Sequence, residues 1–312
     1  MSEHSRPEPR SIDRNDPVSP SALVLPAVAF EPPLDERRAW LERHEIVDAL
    51  ELEGLETPLF LTGDGVAITT TELGKSEAAT TVATLCASPG VDLSTAYVLT
   101  AGIAGSSPSR AALGSVILAD AIVDWDRKHR WDPDLLAERE GPPIDRLPYD
   151  PEKSVHFVNG DVLEPALAAA REVDLETDDD VRAYQHRYPG GVTDGPTVDV
   201  GPTVCGDEFW HGPRYAREVE WYCGEYGLES FATTEMEDAA TATALERFGL
   251  FDRYVSVRAV ANYDRPAPDQ SIEESFEGIP ESLALATENA ARVGVAVVDE
   301  LREHDPLGLS ER

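Results

Sequence analysis

The chain has 312 residues, of which 41% are hydrophobic, enough to bury a sizeable core in one domain or in two small ones. The 60 acidic residues outnumber the 26 basic ones and give a formal net charge of -34, which excludes nucleic acid and anionic lipid as partners. We interpret this excess of acidic residues as the solvated surface of a halophilic protein. Molar salt shortens the screening length to about 3 Å and so removes most of the repulsion among the acidic residues. A binding surface for a cationic partner is the alternative.

Three cysteines, Cys86, Cys205 and Cys223, are too few for a disulfide framework and lack metal-ligand spacing. The polar N-terminal residues lack the hydrophobic segment of a signal peptide. The longest apolar runs, such as 96–104, are shorter than the roughly 20 residues that a membrane-spanning helix needs. We therefore predict a cytoplasmic protein that holds no metal and does not contact a membrane.

The first elements alternate between strands and helices. Residues 1–20 are rich in Pro, Ser and charge, which predicts a disordered tail. A short strand begins at Ala22, and a helical pattern covers 36–50. A strand over 66–71 then leads to a helix that begins after Gly74.

Two near-continuous apolar runs follow, AYVLTAGIAG and GSVILADAIVDW. Such runs indicate strands that are covered on both faces of a sheet. Residues 128–200 are irregular and rich in Pro and Asp, with one helical stretch at 165–171. We predict that they form an insertion and not a separate core.

After residue 202, the pattern predicts helices over 214–226 and 235–248, the strand YVSVRAVANYD and a last helix over 280–304. Alternating strands and helices predict an α/β fold, a three-layer sandwich with a central mixed, largely parallel sheet. The predicted domain covers 21–304, and 305–312 form a second tail.

In such sheets, ligands bind where loops leave the carboxyl ends of strands. Four segments meet this description: 74–80, 101–107, 206–212 and 260–264. Each contains residues that a small ligand needs, and each also has an ordinary structural explanation.

The first segment, LGKSEAAT, is not a P-loop, because position 69 is Thr where that motif needs Gly. It remains a glycine turn at a helix N-terminus, with Lys75 and Ser76 after Gly74. Free N–H groups there can hold an anion or a ligand hydroxyl. A simple turn without a ligand is equally consistent with the pattern.

Aromatic residues mark the third segment, GDEFWHG. Phe209, Trp210 and His211 follow a strand end, where an aromatic face can stack on a purine base. Ordinary core packing is the alternative, and we favour it for Trp210.

The sequence TTEMEDAA places two carboxylates at the same edge. A capping box between Thr234 and Glu237 accounts for much of this pattern without any function. Alternatively, Glu235 and Glu237 flank Met236 at the mouth of the sheet. A carboxylate there accepts both hydroxyl protons of a ribose, and the Met packs on the apolar face of the sugar.

The strand YVSVRAVANYD carries Arg258 within an apolar run, so its charge requires a partner. Asn262 and Asp264 follow near the strand end, where they can hydrogen-bond to a base edge.

These segments, in this order, resemble the nucleoside phosphorylase superfamily, which includes hexameric purine nucleoside phosphorylases and methylthioadenosine nucleosidases. The chain is more similar still to the purine nucleoside permease family, through 74–126 with its SPGVDLSTAYVLTAGIAG stretch and through the ending Asn-Tyr-Asp-Arg-Pro. The resemblance covers about residues 22–302.

The resemblance implies roles for individual residues. Phe209, with Trp210 beside it, corresponds to the residue that stacks on the base. Glu237 corresponds to the Glu that binds the ribose hydroxyls. Asn262 stands where the superfamily usually has an Asp that protonates purine N7, and Asp264 is its rival.

Further positions follow from the same resemblance. Met236 packs on the ribose, Glu235 precedes it as in the superfamily's Glu-Met-Glu, and Gly102 with its neighbour Ala101 lines the phosphate and ribose site. The nucleosidases activate water with an N-terminal Glu. Glu31 falls near that position, and Glu36 is its rival.

The chain departs from the phosphorylases at the phosphate site. They bind phosphate through an Arg at the position of Thr100 and a Ser at that of Ile103. The candidates to replace them are Lys75, Ser76, Ser106 and Arg110.

We therefore predict a purine nucleoside phosphorylase that cleaves guanosine or inosine to free base and ribose 1-phosphate. It needs inorganic phosphate as co-substrate and no cofactor. Asn262 donates to N7 or O6 of the base, and Glu237 clamps the ribose. The alternatives are a nucleosidase that uses water and a non-catalytic nucleoside-binding component of uptake. The superfamily's sites often borrow residues across a subunit interface, so we expect a homo-oligomer: a dimer, trimer or hexamer.

Overall fold

The computed structural model describes residues 6–136, 141–149 and 151–311, apart from the side chain at position 277. The strands are β1 (Arg10–Ser11), β2 (Ala22–Leu25), β3 (Ile46–Glu51), β4 (Leu59–Thr62), β5 (Val66–Ile68), β6 (Tyr97–Ser106), β7 (Val116–Asp124), β8 (Lys128–Arg130), β9 (Ile144–Arg146), β10 (Val155–Phe157), β11 (Val198–Cys205), β12 (Thr233–Glu235) and β13 (Tyr254–Tyr263). The α-helices are α1 (Glu36–Leu41), α2 (Lys75–Ala87), α3 (Gly160–Arg171), α4 (Asp179–Gln185), α5 (Pro213–Gly224), α6 (Asp238–Arg247), α7 (Ile272–Glu277) and α8 (Pro280–His304). Short 3₁₀ turns cover Pro151–Ser154, Phe251–Arg253 and Leu309–Glu311.

Five strands of the central sheet, β6, β12, β11, β7 and β13, close into a ring. Closure depends on β13, which pairs in parallel with β6 along its length and antiparallel with β7 over Val257–Ala259. From β6 the sheet continues through β2, β5, β4 and β3 to β1, and β10 pairs with β7. The predicted α/β fold with a mixed sheet is confirmed. The sequence did not predict the ring, and the three-layer sandwich stays a prediction.

The two faces of the sheet bury different sets of side chains. In β2, Ala22 and Val24 pack in a cluster with α8 and α3, whereas Leu23 and Leu25 pack in a cluster with α2 and α6. Successive side chains of a strand point to opposite faces, so a strand covered on both sides needs apolar residues throughout. This explains the uninterrupted apolar runs of the central strands.

The predicted helix over 36–50 is wrong in its second half. The helix α1 ends at Leu41, and Ile46–Glu51 is the strand β3, which pairs with β1 and β4. Pairing on both edges outweighs the weak helical pattern there, because local propensity yields to tertiary context. The predicted last helix agrees with α8. Among the described residues, no helix is long and apolar enough to cross a membrane.

The structure differs from the predicted N-terminal tail over 1–20. Residues 1–5 lie outside the described residues. The strand Arg10–Ser11 pairs with β3, and Nε of Arg10 lies 3.1 Å from Oδ1 of Asp48. Backbone pairing and this ion pair attach a segment whose composition alone indicates disorder.

The predicted insertion and C-terminal tail also contribute to the packed structure. Within 128–200, β10 joins the central sheet and α3 buries Val162 and Ala166 in the core. Residues 137–140 and 150 of this stretch lie outside the described residues. In the predicted tail after 304, Leu309 is buried.

Candidate active site

A cavity of about 380 Å³ opens beside the ring of strands. Its walls come from the second half of β6, the segment that follows β12, the C-terminal half of β13, the loop between β11 and α5, and residues 27–36. Three of the four segments predicted from strand ends therefore meet here. The polar side chains of the cavity lie both on strands of the ring, such as Arg258 and Asn262 on β13, and on the loops that follow strand ends.

Glu36, the first residue of α1, brings a carboxylate to the cavity wall. Its Oε2 accepts hydrogen bonds from the N–H groups of Ala27 (2.7 Å) and Val28 (3.2 Å), and its Oε1 accepts one from Ile103 (2.7 Å). A Cβ atom on Gly102 would lie only 2.7 Å from Oε1, so glycine is what lets this carboxylate approach β6. Burial raises the pKa of Glu36, and the three N–H groups oppose this.

Arg258 lies in the middle of β13 and is buried among three carboxylates. Its guanidinium is 3.2 Å from Oε2 of Glu235 and 3.3 Å from Oε2 of Glu237, and it also bonds to Asp238. The prediction that this arginine has a partner is confirmed. Since three acids share one cation, burial prevails and raises the pKa of Glu235 to about 8 and that of Glu237 to about 7.

Glu237 is not the capping residue of a capping box. Glu235 performs that task, because its Oε2 accepts from the N–H groups of Glu237 (2.7 Å) and Asp238 (2.8 Å) at the start of α6. Glu237 instead accepts at Oε1 from the N–H of Gly74 (3.0 Å) and borders the cavity. The other oxygen of Glu235, Oε1, is buried without a hydrogen bond to any described residue. The capping-box alternative for Thr234 and Glu237 is therefore wrong.

Asn262 and Asp264 border the cavity near the end of β13. The side-chain amide of Asn262 makes no hydrogen bond with the described residues, whereas Asp264 is bound by Nε (2.6 Å) and Nη2 (2.9 Å) of Arg265. A Cβ atom on Gly105 would lie 3.2 Å from Oδ1 of Asn262. Of the two rivals, Asn262 has the amide that is available to a ligand.

Aromatic side chains form another part of the cavity wall. Phe209 is 65% exposed and meets Phe276 edge to face, with 5.0 Å between ring centroids. Trp210 is half-buried and meets Phe231 edge to face at 5.9 Å. Phe209, Trp210 and the half-buried Met236 all border the cavity. The accessible face of Phe209 suits stacking on a planar base.

The N-terminus of α2, predicted to hold an anion, is occupied by carboxylates of the protein itself. The N–H of Lys75 donates to Oδ1 of Asp207 (2.8 Å), next to the bond from Gly74 to Glu237. Nζ of Lys75 binds Asp124 at 2.5 Å. Lys75 does not border the cavity. The N–H groups of Gly74 and Lys75 and the ammonium group of Lys75 are therefore already paired with carboxylates.

Four other predicted site residues also lie away from the cavity wall. Ser76 and Glu31 are exposed to solvent, and Ala101 is part of the hydrophobic core. Gly102 contributes space for Glu36 but no lining atom. Of the two N-terminal glutamates weighed from the sequence, Glu36 is the one at the cavity.

Thr100, which stands at the position of the phosphorylases' Arg, and the remaining phosphate candidates, Ser106 and Arg110, have partners as well. Thr100 donates to Asp238 (3.0 Å), Ser106 donates to a backbone carbonyl (2.7 Å), and Arg110 pairs with Asp199 (2.6 Å). In the described part of the chain, Arg258 is the one lysine or arginine on the cavity wall. Residues 6–136, 141–149 and 151–311 offer no cluster of three or more His, Cys, Asp or Glu for a metal ion.

The fold has counterparts among solved structures. Futalosine hydrolase of Helicobacter pylori matches 90% of this chain and 97% of its own, with a TM-score of 0.59 and 19% identity. A 5'-methylthioadenosine/S-adenosylhomocysteine nucleosidase of Neisseria meningitidis, in complex with methylthio-immucillin-A, matches 91% of this chain and 99% of its own, with a TM-score of 0.59 and 20% identity. At such identities the likeness shows the shared fold.

Sequence relatives point to one family. A probable purine nucleoside permease of Schizosaccharomyces pombe is 27% identical over 269 residues, which are 75% of each chain. A purine nucleoside permease of Candida albicans is 23% identical over 320 residues, covering 90% of this chain and 75% of the relative. The family model described as purine nucleoside permease (NUP) matches residues 22–305. The chain therefore belongs to the purine nucleoside permease family.

Proposed function

We propose that the protein cleaves the N-glycosidic bond of purine nucleosides with water as the nucleophile. The observation that carries this proposal is the carboxylate of Glu36, buried at the cavity and held by three backbone N–H groups. A general base works best when its pKa lies near the operating pH, and burial moves the pKa of Glu36 in that direction. Glu36 then takes a proton from the attacking water.

The other groups match the charges that develop during cleavage. As the bond to the base breaks, the sugar gains positive charge and the base gains negative charge. Glu237 accepts the ribose hydroxyl protons, and the acidic surroundings of Arg258 favour a cationic sugar. Phe209 stacks on the base, and the unpaired amide of Asn262 donates to N7, where negative charge accumulates.

The charges on the cavity wall favour water over phosphate. A phosphate dianion needs cations or free N–H groups, and Arg258 is already shared by three carboxylates. The N–H groups of Gly74 and Lys75 are bound to Glu237 and Asp207. The names of the structural neighbours, a hydrolase and a nucleosidase, support the same choice. Phosphorolysis of 6-oxopurine nucleosides, predicted from the sequence, is the competing outcome.

The names of the relatives favour a second candidate, a nucleoside-binding component of uptake. The same cavity would then hold the nucleoside intact. Release of free base by the purified protein separates this candidate from both enzymatic ones.

The test is a panel of purine ribonucleosides incubated with purified protein in phosphate-free buffer and in phosphate buffer, at low and high salt. We expect free base and free ribose at equal rates in both buffers, and ¹⁸O from labelled water in the ribose. Glu36→Gln should lower turnover by about 100-fold or more, the usual range for removing a general base. Ribose 1-phosphate formed only with phosphate would reject hydrolysis, and binding without cleavage would favour the uptake role.

A further inference from the structure

His211 lies on the cavity wall among the groups assigned to the base, and the proposed chemistry does not use it. It borders the cavity just before α5. The N–H of its neighbour Gly212 donates to the carbonyl of Asp264 at 2.6 Å, which ties this point of the loop to the end of β13. Its ring approaches the edge of Phe276, 6.1 Å between centroids. The loop thus ties His211 to the end of β13, the strand that carries Asn262.

A buried serine on α7 sets the tautomer of this histidine. Nε2 of His211 lies 3.1 Å from Oγ of Ser275, which also lies 3.1 Å from the backbone carbonyl of Arg265. The hydroxyl of Tyr188 also lies 3.4 Å from Oγ of Ser275, but it donates its own proton to Gln270. A carbonyl only accepts, so we assign the single hydroxyl proton of Ser275 to Arg265. Ser275 must then accept from His211, which places the ring proton on Nε2.

The second ring nitrogen, Nδ1, is consequently a hydrogen-bond acceptor. It makes no hydrogen bond with any described residue. It is also not one of the fully buried polar atoms that lack a hydrogen-bond partner. Burial lowers the pKa of His211, which keeps the ring neutral and Nδ1 unprotonated near neutral pH. The cavity wall thus offers this acceptor in addition to the donor amide of Asn262.

We infer that His211 determines specificity by accepting, at Nδ1, a hydrogen bond from an N–H group on the six-membered ring of the purine. This inference rests on the proposed binding of a purine nucleoside in the cavity. Two substituent patterns supply the donor: the 6-amino group of adenosine and the N1–H group of inosine or guanosine. Purine riboside, which carries C–H at position 6 and no hydrogen on N1, supplies neither. The site should therefore discriminate against purine riboside.

The test compares adenosine, inosine and purine riboside with the wild type and His211→Leu, using kcat/KM and calorimetric Kd. We expect the wild type to prefer adenosine or inosine to purine riboside by about tenfold, since an unpaired polar group costs that much. Whichever nucleoside is preferred identifies the donor. His211→Leu should reduce this ratio to nearly one. His304→Leu, on the exposed end of α8, is the control that should keep it.

Ser275 provides a second variant that leaves the histidine in place. Ser275→Ala should reduce this preference over purine riboside, because the ring proton of His211 is then no longer held on Nε2. Ser275→Thr retains the hydroxyl and should keep the preference of the wild type. An unchanged ratio in His211→Leu would overturn the inference even if turnover fell. A wild type that binds these nucleosides without cleaving them would reject the proposed function, while the ratio of Kd values would still decide the role of His211.

Discussion

At the scale of single residues, the main feature of the site is a cluster of acidic side chains around one cation. Three carboxylates contact Arg258, and burial raises the pKa of Glu235 and Glu237 far above the ordinary range for glutamate. Such groups cluster at functional sites because catalysis needs protons that move near neutral pH. These groups lower the stability of the folded state when they ionise, since a buried charged carboxylate opposes folding.

Glu237→Gln should keep the fold and lower kcat/KM for ribonucleosides by at least about tenfold. Gln is of the same size and still accepts from Gly74, but it loses the charge-assisted bonds to the ribose hydroxyls. Glu77→Gln, at an exposed position of α2, is the matched control. Steady-state kinetics and circular dichroism check both. Unchanged kinetics in Glu237→Gln would remove this residue from the site.

The pKa of Glu235, raised to about 8, predicts a pH dependence of stability. A carboxyl whose pKa is higher in the folded state stabilises the protein below the unfolded pKa, and this contribution is lost as pH rises through about 8. Glu235→Gln cannot ionise, and its side-chain carbonyl still accepts from the start of α6. Relative to wild type, its Tm should therefore rise by several degrees between pH 5.5 and pH 8.5, equivalent to roughly 3 kcal/mol. A constant difference in Tm across this range would contradict the assignment.

At the scale of elements, β6 leaves room for Glu36 because Gly102 in this strand has no side chain. Gly102→Ala would place a Cβ atom 2.7 Å from Oε1 of Glu36, so the carboxylate must move off the N–H of Ile103. We expect kcat to fall by about tenfold or more, because small misplacements of a catalytic group are costly. Gly160→Ala, at a helix start with nothing within 4 Å, should leave the rate unchanged. Full activity in Gly102→Ala would show that Glu36 does not need its present position.

Strand patterns predicted more of this site than helix patterns did. The apolar runs predicted the positions of β6 and β13, and residues near strand ends, such as Phe209 and Asn262, border the same cavity. The choice between Glu31 and Glu36 remained open, because it depends on a contact with Ile103, 67 residues away in sequence. The prediction of a free anion site at Lys75 was wrong for the same reason, because the carboxylates that bind Lys75 come from distant segments.

At the scale of the whole molecule, the net charge of -34 should make stability depend on salt. Repulsion among the 60 acidic residues destabilises the compact state, and salt screens it. We expect Tm to rise by several degrees, roughly 5 °C or more, between 0.1 M and 2 M KCl. Sucrose at a matched osmolality controls for general stabilisation. A Tm that rises equally in sucrose would contradict the electrostatic explanation.

The assembly of the molecule remains a prediction. Several large apolar side chains at or near the cavity mouth are exposed in the single chain, among them Phe30, Leu73 and Phe209. An exposed apolar patch next to a polar site is typical of an interface. Light scattering distinguishes the expected dimer, trimer or hexamer from a monomer.

The double pairing of β13 bears on how the protein loses activity. Over Val257–Ala259 this strand is hydrogen-bonded to a neighbouring strand on each edge, to β6 and to β7. It therefore cannot separate from the sheet unless the ring opens. Its amide hydrogens should consequently be among the last to exchange with deuterium, at rates set by global unfolding. Because Arg258 and Asn262 are carried by this strand, inactivation by denaturant should coincide with the loss of the whole fold and should not precede it.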